Sequence, residues 1–282
     1  MSDAPLVTVS CTAYNHEKFI RDALEGFIMQ KTNFRFEVIV HDDASTDNTA
    51  EIIREYEIKY PAIIKPIYQK ENQWSKGIKP SARFVWPKAR GKYLALCEGD
   101  DYWTDPLKLQ KQVDFLQANK NYAGAFHYTK KIIEGYDISK DRLYGFHGTK
   151  LDFESVDTIS PVSPWHTSSF VFRNEFLEIP SWFYSVPSGD MALFSIISKY
   201  GKIRCIPEIM SVYRKNEGGV TKSATHMGMQ LHKNRLKLMH HLNQFHEFKY
   251  NQKARKIIKN HKIKILKANL RKLQQAITKI FR

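Results

Sequence analysis

Short apolar runs alternate with amphipathic segments through the first hundred residues, and this alternation restricts the fold more than any other feature of the chain. Residues 6–11, 37–40, 62–68 and 92–97 are apolar and short enough to be buried strands. Between the first three runs, apolar side chains recur at the three- and four-residue spacing of a helix. This order of elements predicts an α/β fold with a mainly parallel, Rossmann-like sheet and helices on both faces.

The pattern of the following hundred residues is less regular. Asp105-Pro106 offers a helix cap followed by proline, so a helix is expected there. Pro207 interrupts a later strand pattern, because proline lacks the N–H that a ladder requires. We predict loops with short antiparallel strands over residues 123–165 and a strand over 168–173. A helix is predicted over residues 191–200 and an interrupted strand over 203–213.

Three carboxylates follow directly after the fourth apolar run, in the sequence Glu98-Gly99-Asp100-Asp101. Open α/β sheets bind their ligands where the strands end. Carboxylates this close repel one another, and a divalent cation that prefers oxygen ligands, Mg²⁺ or Mn²⁺, would hold them together. The alternative is a solvated acidic turn ahead of the next helix.

Polar loops also follow the first two runs, with Thr12, Tyr14 and Asn15 in the first loop and Asp42-Asp43 in the second. A carboxylate at such an edge can accept a hydrogen bond from the N3–H of uracil or thymine, and a tyrosine can stack on the ring. Taken singly, Asp43 could form a turn and Tyr14 could be a packing residue. Taken together, the loops predict base recognition and metal binding at one edge of the sheet.

The order and spacing of these motifs resemble the family 2 glycosyltransferases, which have the GT-A fold. The resemblance runs from about residue 5 to about residue 220 and includes Gly91-Lys92-Tyr93 ahead of the acidic cluster. It implies an inverting transfer of a sugar from a nucleoside diphosphate donor, with Mn²⁺ or Mg²⁺ as the cofactor. By this resemblance, Asp42 and Asp43 hold the nucleobase.

The resemblance also places Glu98-Gly99-Asp100 at the family's Asp-x-Asp motif, whose second aspartate binds the metal on the diphosphate. Glu98 departs from that pattern, because the family has aspartate there. We therefore predict Asp100 as the direct metal ligand, with Glu98 and Asp101 around it. The full set of expected donor contacts is Thr12, Tyr14, Asn15, Asp42, Asp43, Lys79, Arg83, Glu98, Gly99, Asp101 and Arg214.

Two parts of this set are defined only loosely. Either Lys79 or Arg83 could meet the phosphates. Residues 213–220 resemble the flexible segment that closes over the donor in the family, and Arg214 or Lys215 could reach the diphosphate. The family often has a histidine at about this position, whereas this chain has Asn216 and no histidine nearby. A metal ligand from this segment is therefore not expected here.

An inverting transfer needs a general base on the side of the sugar opposite the metal. In the resembling family an acidic pair supplies it from the start of a helix, and the second member acts. Here the pair is reduced to Gly189-Asp190, so we predict Asp190 as the base. The alternative is that Asp190 only caps the helix, because acids favour helix N-termini.

Acceptor contacts are expected from Trp103, Trp165, His166 and Thr167. Aromatic plates with neighbouring hydrogen-bond donors suit the apolar face and hydroxyl rim of a sugar. Either tryptophan could equally be a core residue.

The positive charge of the chain is concentrated in its last sixty residues. The net charge is +15, yet residues 1–222 hold 29 bases and 28 acids, whereas residues 223–282 hold 15 bases and the single acid Glu247. An apolar stripe with basic neighbours runs along this tail, at Ile263, Leu266, Leu270, Leu273, Ile277 and Ile280. The basic residues beside it are Lys262, Lys264, Lys267, Arg271, Lys272 and Lys279.

Such a helix fits an interfacial position on an anionic membrane surface. Packing on the catalytic domain or pairing with a second copy also satisfies the spacing, so a homo-oligomer stays possible. A nucleic-acid partner is not expected, because interleaved aromatic residues and a known binding motif are missing. His240, His241 and His246 have no metal-ligand spacing and are predicted to be surface residues.

The remaining sequence features concern the compartment and the organisation of the chain. Cys11, Cys97 and Cys205 are odd in number and far apart, which predicts reduced core residues. Neither a secretory signal nor a membrane span is evident, so we expect a cytoplasmic protein, peripheral on the inner face of the membrane. We predict a catalytic domain over 1–222, divided at about residue 103 into donor-binding and acceptor-binding halves, and a helical tail over 223–282.

The sequence therefore predicts an inverting glycosyltransferase, of the hexosyl or hexosaminyl class, that uses a UDP-sugar and a glycan or lipid-linked acceptor in surface polysaccharide synthesis. A metal-dependent nucleotidyltransferase is one alternative, although the first loop lacks the glycines of a phosphate-binding loop. A non-catalytic scaffold of the same fold is the other, because Glu98 and Gly189 depart from the family pattern.

Overall fold

The computed structural model describes residues 4–133, 142–216 and 228–280, without the side chains of residues 272, 276, 277, 279 and 280. The strands in these ranges are β1 (Val7–Ala13), β2 (Phe36–Asp42), β3 (Ile64–Tyr68), β4 (Tyr93–Leu96), β5 (Tyr102–Trp103), β6 (Tyr122–Ile133), β7 (Arg142–Tyr144), β8 (Asp152–Phe153), β9 (Val171–Arg173) and β10 (Lys202–Lys215). The α-helices are α1 (Ile20–Ile28), α2 (Thr49–Lys59), α3 (Lys108–Ala118), α4 (Ser155–Thr158), α5 (Gly189–Ser198), α6 (Gly228–Phe245) and α7 (Asn251–Ile280).

The strands form one sheet in the order β3-β2-β1-β4-β9-β6-β10-β5, with β7 paired to β6 and β8 to β10. β3, β2, β1 and β4 are mutually parallel, and β10 is parallel to β6. The antiparallel strand β9 joins the two parallel groups. The predicted mainly parallel, Rossmann-like sheet is confirmed, and its parallel strands direct their carboxyl ends to one edge.

The long strand β6 is the main element that the sequence pattern missed. It runs through a region that we predicted to hold loops and short strands, and Tyr122 at its start is followed by Ala-Gly-Ala, three residues with weak strand preference. Pairing with β9 and β10 on its two sides supplies the stabilisation that the local sequence lacks. The predicted interruption of the later strand at Pro207 is present, because the register of β10 shifts between Ile206 and Ile209.

Helices cover both faces of the sheet, as predicted, because successive side chains of a buried strand point to opposite faces. In β4, Tyr93 and Ala95 belong to the apolar core that contains residues of α1, α2 and α3. Leu94 and Leu96 belong to the core on the other face, which contains residues of α5, α6 and α7. The three cysteines are free and buried within these layers, as expected.

The C-terminal helices are partly built into the core of the sheet domain. Leu238 and Leu242 of α6 and Ile257 of α7 are buried in the core that also contains α5. His246, which we predicted at the surface, is 6% exposed and its Nε2 lies 2.9 Å from Ser195 Oγ, so that prediction was wrong. The domain boundary that we predicted at residue 222 lies outside the described residues.

The apolar stripe of the tail lies on the opposite side of α7 from this packed face. The described stripe residues Ile263, Leu266, Leu270 and Leu273 are 40–59% exposed. At about 3.6 residues per turn they point away from the side that packs at Ala254, Ile257 and His261. Within the described ranges, no helix is both long and apolar enough to cross a membrane.

Candidate active site

A cavity of about 470 Å³ opens where β1, β2 and β4 end and α5 begins. This is the edge at which open parallel sheets bind ligands, and the volume lies in the range of small-molecule sites. Predicted site residues from seven separate segments of the chain meet here. The predicted site residues in the lining are Thr12, Tyr14, Asp43, Lys79, Glu98, Asp100, Asp101, His166, Thr167, Asp190 and Arg214.

One end of the cavity is built around Asp43. Its two carboxylate oxygens each accept a backbone N–H, from Gln73 and from Trp74, at 2.9 Å. Tyr14 and Trp74 line the cavity beside it with side chains that are 42% and 44% exposed. Two exposed aromatic rings beside a carboxylate offer a stacking surface with a hydrogen-bond acceptor, as a nucleobase requires. Sequence reasoning missed Trp74, whose signal was an indole within a polar loop.

Asp42 and Asn15 hold the loops of this end together and do not line the cavity. Asp42 accepts hydrogen bonds from the backbone and side chain of Ser45, and burial raises the pKa of Asp42. Asn15 Oδ1 accepts from Thr46 N at 2.8 Å, which ties the first loop to the second. Asn15 and Ala44 have positive φ angles of 53° and 61°, a strained conformation that such cross-loop bonds maintain.

The three acids after β4 occupy different environments. Glu98 Oε2 accepts from Thr167 Oγ1 at 2.6 Å, and desolvation raises the pKa of Glu98 to about 7. Asp101 is 2% exposed, accepts from Arg214 N at 2.9 Å, and has a pKa raised well above its usual range by burial. Asp100 lines the cavity, and its Oδ2 accepts from Asn216 Nδ2 at 2.9 Å. Asp100 is therefore the member of the cluster that is best placed to meet a ligand.

Asp100 could hold a divalent cation only together with further oxygen ligands from a substrate and from water. Among the described residues, no group of three or more His, Cys, Asp or Glu side chains is arranged to hold a metal ion. Mg²⁺ is usually bound by one or two carboxylates together with substrate phosphates and water. One accessible carboxylate beside a cavity of this size matches that arrangement.

The other end of the cavity is built around the first turn of α5, which carries Asp190. Lys79 Nζ lies 5.3 Å from the Phe183 ring centroid and 3.3 Å from the place where a Cβ on Gly189 would stand. Burial lowers the pKa of Lys79, and the charge of Asp190 opposes that shift. Of the two predicted phosphate contacts, Lys79 lines the cavity, whereas Arg83 is exposed and lies outside the lining.

Three rings form the wall between the acidic cluster and Asp190. His166 lies 4.4 Å from the Tyr213 ring and 4.9 Å from the Tyr144 ring, between centroids. Burial lowers the pKa of His166 to about 3, so the imidazole is neutral even though its Nδ1 is 3.7 Å from Asp101. Sequence reasoning missed Tyr144 and gave Tyr213 only as the first residue of the predicted closing segment.

Both predicted tryptophan contacts lie in the core, which is the alternative that the sequence left open. Trp103 is 2% exposed and its Nε1 donates to Ser168 O at 2.8 Å. Trp165 is 1% exposed and stacks on Phe126 with 4.4 Å between ring centroids. Neither ring lines the cavity. Gly99 also lies outside the lining, and a Cβ there would meet the Ile20 side chain at 2.9 Å.

The predicted closing segment is described only as far as Asn216, and its glycines lie outside the described residues. The guanidinium of Arg214 bonds Asp22 and lies 4.3 Å from the Tyr102 ring centroid. The backbone N–H of Arg214 donates to Asp101, and Asn216 Nδ2 donates to Asp100. The end of β10 is thereby fastened to Asp100 and Asp101.

The sheet order, the helices on both faces and the acidic cavity at the strand ends define a GT-A fold. S. aureus TarS, residues 1–349 in complex with UDP-GlcNAc, superposes with a TM-score of 0.62 over 84% of this chain and 65% of that one, at 20% identity. The mannosyltransferase PcManGT from Pyrobaculum calidifontis, in complex with GDP-Man and Mn²⁺, has a TM-score of 0.58 over 86% of this chain and 65% of that one, at 18% identity. Residues 8–178 match the model of glycosyl transferase family 2, and the chain belongs to that family.

Two relatives found by sequence add to the family match. An uncharacterized protein of Mycobacterium tuberculosis is 40% identical over 220 residues, which are 77% of this chain and 61% of the relative. The UDP-Glc:alpha-D-GlcNAc-diphosphoundecaprenol beta-1,3-glucosyltransferase WfaP of Escherichia coli is 31% identical over 129 residues, 46% of this chain and 47% of the relative. The chain thus spans about three fifths of the length of the first of these relatives and about half of the second.

Proposed function

We propose that this protein transfers a sugar, with inversion, from a nucleoside diphosphate donor to a hydroxyl acceptor. The observation that carries the proposal is the meeting of Asp43, Asp100 and Asp190 in one cavity, from three separate segments. The base would stack between Tyr14 and Trp74 and bond Asp43, and UDP is the donor nucleotide that we favour. The named substrates of WfaP and the UDP-GlcNAc bound to TarS support this choice.

Asp100 would hold Mn²⁺ or Mg²⁺ together with the diphosphate of the donor. The cation would supply positive charge to the departing diphosphate. Asp190 would accept the proton of the attacking hydroxyl from the other end of the cavity. Arg214 and Asn216 would keep the acidic cluster in position, Asp101 would stay buried behind Asp100, and Glu98 would line the cavity beside it. The Mn²⁺ in the PcManGT complex supports the choice of metal.

The experiment is a donor hydrolysis assay over a panel of nucleotide sugars with Mn²⁺ and with EDTA. We expect one or a few UDP-sugars to be hydrolysed, and EDTA to abolish the reaction. Asp100→Ala should abolish both hydrolysis and transfer, whereas Asp190→Asn should keep donor binding and lose transfer about 100-fold or more. Asp114→Asn, an exposed aspartate on α3, is the matched control and should behave like the wild type.

Full activity of Asp100→Ala would refute the metal assignment, and full turnover of Asp190→Asn would refute the base. Release of pyrophosphate from nucleoside triphosphates would identify a nucleotidyltransferase. Donor binding with neither hydrolysis nor transfer to any acceptor would identify a scaffold.

We further propose that the stripe on α7 lies on an anionic membrane, on the cytoplasmic face, where a lipid-linked acceptor in surface polysaccharide synthesis would be found. Four exposed apolar side chains with Lys262 and Lys267 at the edges match an interfacial helix. Pairing with a second copy is disfavoured, because residues 251–280 contain no acid to pair with the facing lysines and arginines. The three free, buried cysteines agree with a reducing compartment.

Sedimentation with phosphatidylcholine vesicles, with and without phosphatidylglycerol, tests this attachment. Leu266→Ser combined with Leu270→Ser should weaken binding to the anionic vesicles by about tenfold or more, because two exposed leucines lose their burial in lipid. Ile58→Ser removes an exposed apolar side chain from α2 and is the control. Equal binding of the double variant, or a wild-type dimer that the double variant converts to a monomer, would refute the membrane assignment.

A further inference from the structure

Helix α6 lies outside the residues that match the family, yet it supplies a side chain to the cavity. Arg235, in the middle of α6, lines the cavity at the Asp190 end. The packing of Leu238 and Leu242 in the core fixes α6 beside α5, so the position of Arg235 is set by the fold. A role for Arg235 in substrate binding rests on the proposed function, because Arg235 lies at the acceptor end of the same cavity.

Two contacts anchor the guanidinium of Arg235 at the start of α5. Its Nη1 donates to Ser188 Oγ at 2.8 Å and contacts Met191 Sδ. Ser188 and Met191 lie on either side of Gly189-Asp190 in the chain. The hydrogen bonds that the structure describes for Arg235 use Nη1 alone, and a guanidinium carries five N–H donors. Among the residues that the structure describes, Nε and Nη2 have no hydrogen-bond partner, and Arg235 lines the cavity.

Lys79 provides a second cation at the same place. Its ammonium lies over the position that a side chain at residue 189 would occupy, and Asp190 acts on its charge. Tyr144, in the wall of the cavity, is influenced electrostatically both by Asp190 and by Arg235. Two cationic side chains, Arg235 and Lys79, thus accompany Asp190 at this end of the cavity.

We propose that Arg235 and Lys79 form an anion-binding subsite for the acceptor, so that the acceptor carries a phosphate or a carboxylate near the hydroxyl that is glycosylated. An arginine that is fixed at one nitrogen and free at the others can bond an oxyanion with two parallel hydrogen bonds. The absence of a side chain at Gly189 leaves room for Lys79 to approach. The shared chemistry is an oxyanion, and its source is either a phosphate ester, as in a lipid-linked diphosphate, or the carboxylate of an acidic sugar.

The test measures binding of three aryl probes to the full chain saturated with UDP and Mn²⁺, which keeps the probes out of the diphosphate position. Phenyl phosphate represents a phosphate ester, phenyl β-glucuronide an acidic sugar, and phenyl β-glucoside the neutral control. We expect one charged probe to bind about tenfold or more tightly than the glucoside. The preferred probe identifies the source of the charge.

Arg235→Gln should erase that preference, and Arg235→Lys should restore part of it, because lysine keeps the charge but not the fork. If Arg235 were purely structural, its replacement would not change the affinity for charged probes relative to the neutral probe in this way. Lys237→Gln removes an exposed charge from the same helix and should keep the preference. Thermal unfolding of each variant checks that the fold is intact.

Equal affinity for charged and neutral probes, including the failure of all three to bind, would overturn the subsite. So would an unchanged preference in Arg235→Gln. Donor hydrolysis by the wild-type protein separates the two proposals. If hydrolysis occurs without an anion preference, only the subsite fails, whereas absence of hydrolysis with every nucleotide sugar refutes the proposed function itself.

Discussion

Lys108 is a fully buried lysine, and its replacement by methionine should stabilise the protein. It is the first residue of α3, where a positive charge also opposes the helix dipole. Its Nζ is buried without a hydrogen-bond partner among the described residues and lies 3.8 Å from the centroid of the Trp103 ring. Burial lowers the pKa of Lys108 to about 7.

The size of the effect follows from this pKa. An ordinary lysine is charged at pH 7, whereas burial in the fold disfavours the charged form of Lys108. Lowering its pKa from 10.5 to about 7 costs the folded protein about 4–5 kcal/mol. Repacking the core around a new side chain of similar volume takes back about 1.5 kcal/mol of that at any pH. Methionine has a similar length and no charge, and its sulfur suits an aromatic neighbour. We expect Lys108→Met to raise the free energy of unfolding by about 2–3 kcal/mol at pH 7.

The gain should depend on pH in a defined direction. Between pH 7 and about 10.5 the unfolded chain binds a proton at Lys108 that the folded chain does not bind. The free energy of unfolding of the wild type therefore rises with pH through this window, whereas the variant lacks this contribution. The advantage of the variant should shrink by about 2 kcal/mol or more between pH 7 and pH 9.

Urea unfolding at several pH values, followed by tryptophan fluorescence, measures both quantities. Lys120→Met removes an exposed charge just beyond the end of α3 and should change the stability by less than about 0.5 kcal/mol at every pH. A Lys108→Met protein that is less stable than the wild type at pH 7 would refute the reasoning. An advantage that is the same at pH 7 and pH 9 would also refute it.

Two further predictions concern stability. The pKa of His246 is lowered to about 4, mainly by burial, so the neutral ring is favoured in the fold, and stability present above pH 6.5 should be lost as the pH falls toward 4. His246→Gln should reduce the slope of unfolding free energy against pH in that window by up to one proton, and an unchanged slope would contradict the assignment. Gly91→Ala should destabilise by about 3 kcal/mol or more, because its Cβ would stand 2.3 Å from Thr8 N and force β1 and β4 apart. Gly77→Ala, at a φ of 78° with open space around it, should cost only about 1 kcal/mol in the same urea titration, and equal losses would argue against a backbone clash at Gly91.

The donor half of the cavity was predictable because its signals are local. Apolar runs such as the one in β4 mark strands, and the polar residues that end β1, β2 and β4 must meet when those strands are parallel. That Tyr14, Asp43 and Asp100 line one cavity was therefore an expectation from sequence, and the structure brings them together. Their chemical roles remain predictions for the assays above.

The acceptor half was less accessible to sequence reasoning. β6 has weak strand preference near its start, at residues 123–125, and is held there by two neighbours that are distant in sequence. Arg235 reaches the cavity from more than forty residues beyond Asp190, through the packing of α6 on α5. No periodicity or motif carries that information, because it arises from which apolar faces bury one another.

By itself the sequence determined the α/β class, the parallel edge of the donor half and the chemical character of the groups at the strand ends. Only the tertiary structure decided which of these groups meet the cavity. Asp43 lines it while the adjacent Asp42 turns to Ser45, and Trp74 lines it while Trp103 and Trp165 fill the core. The physical reason is that residue type sets what a side chain can bind, whereas its exposure depends on the long-range packing of strands and helices around it.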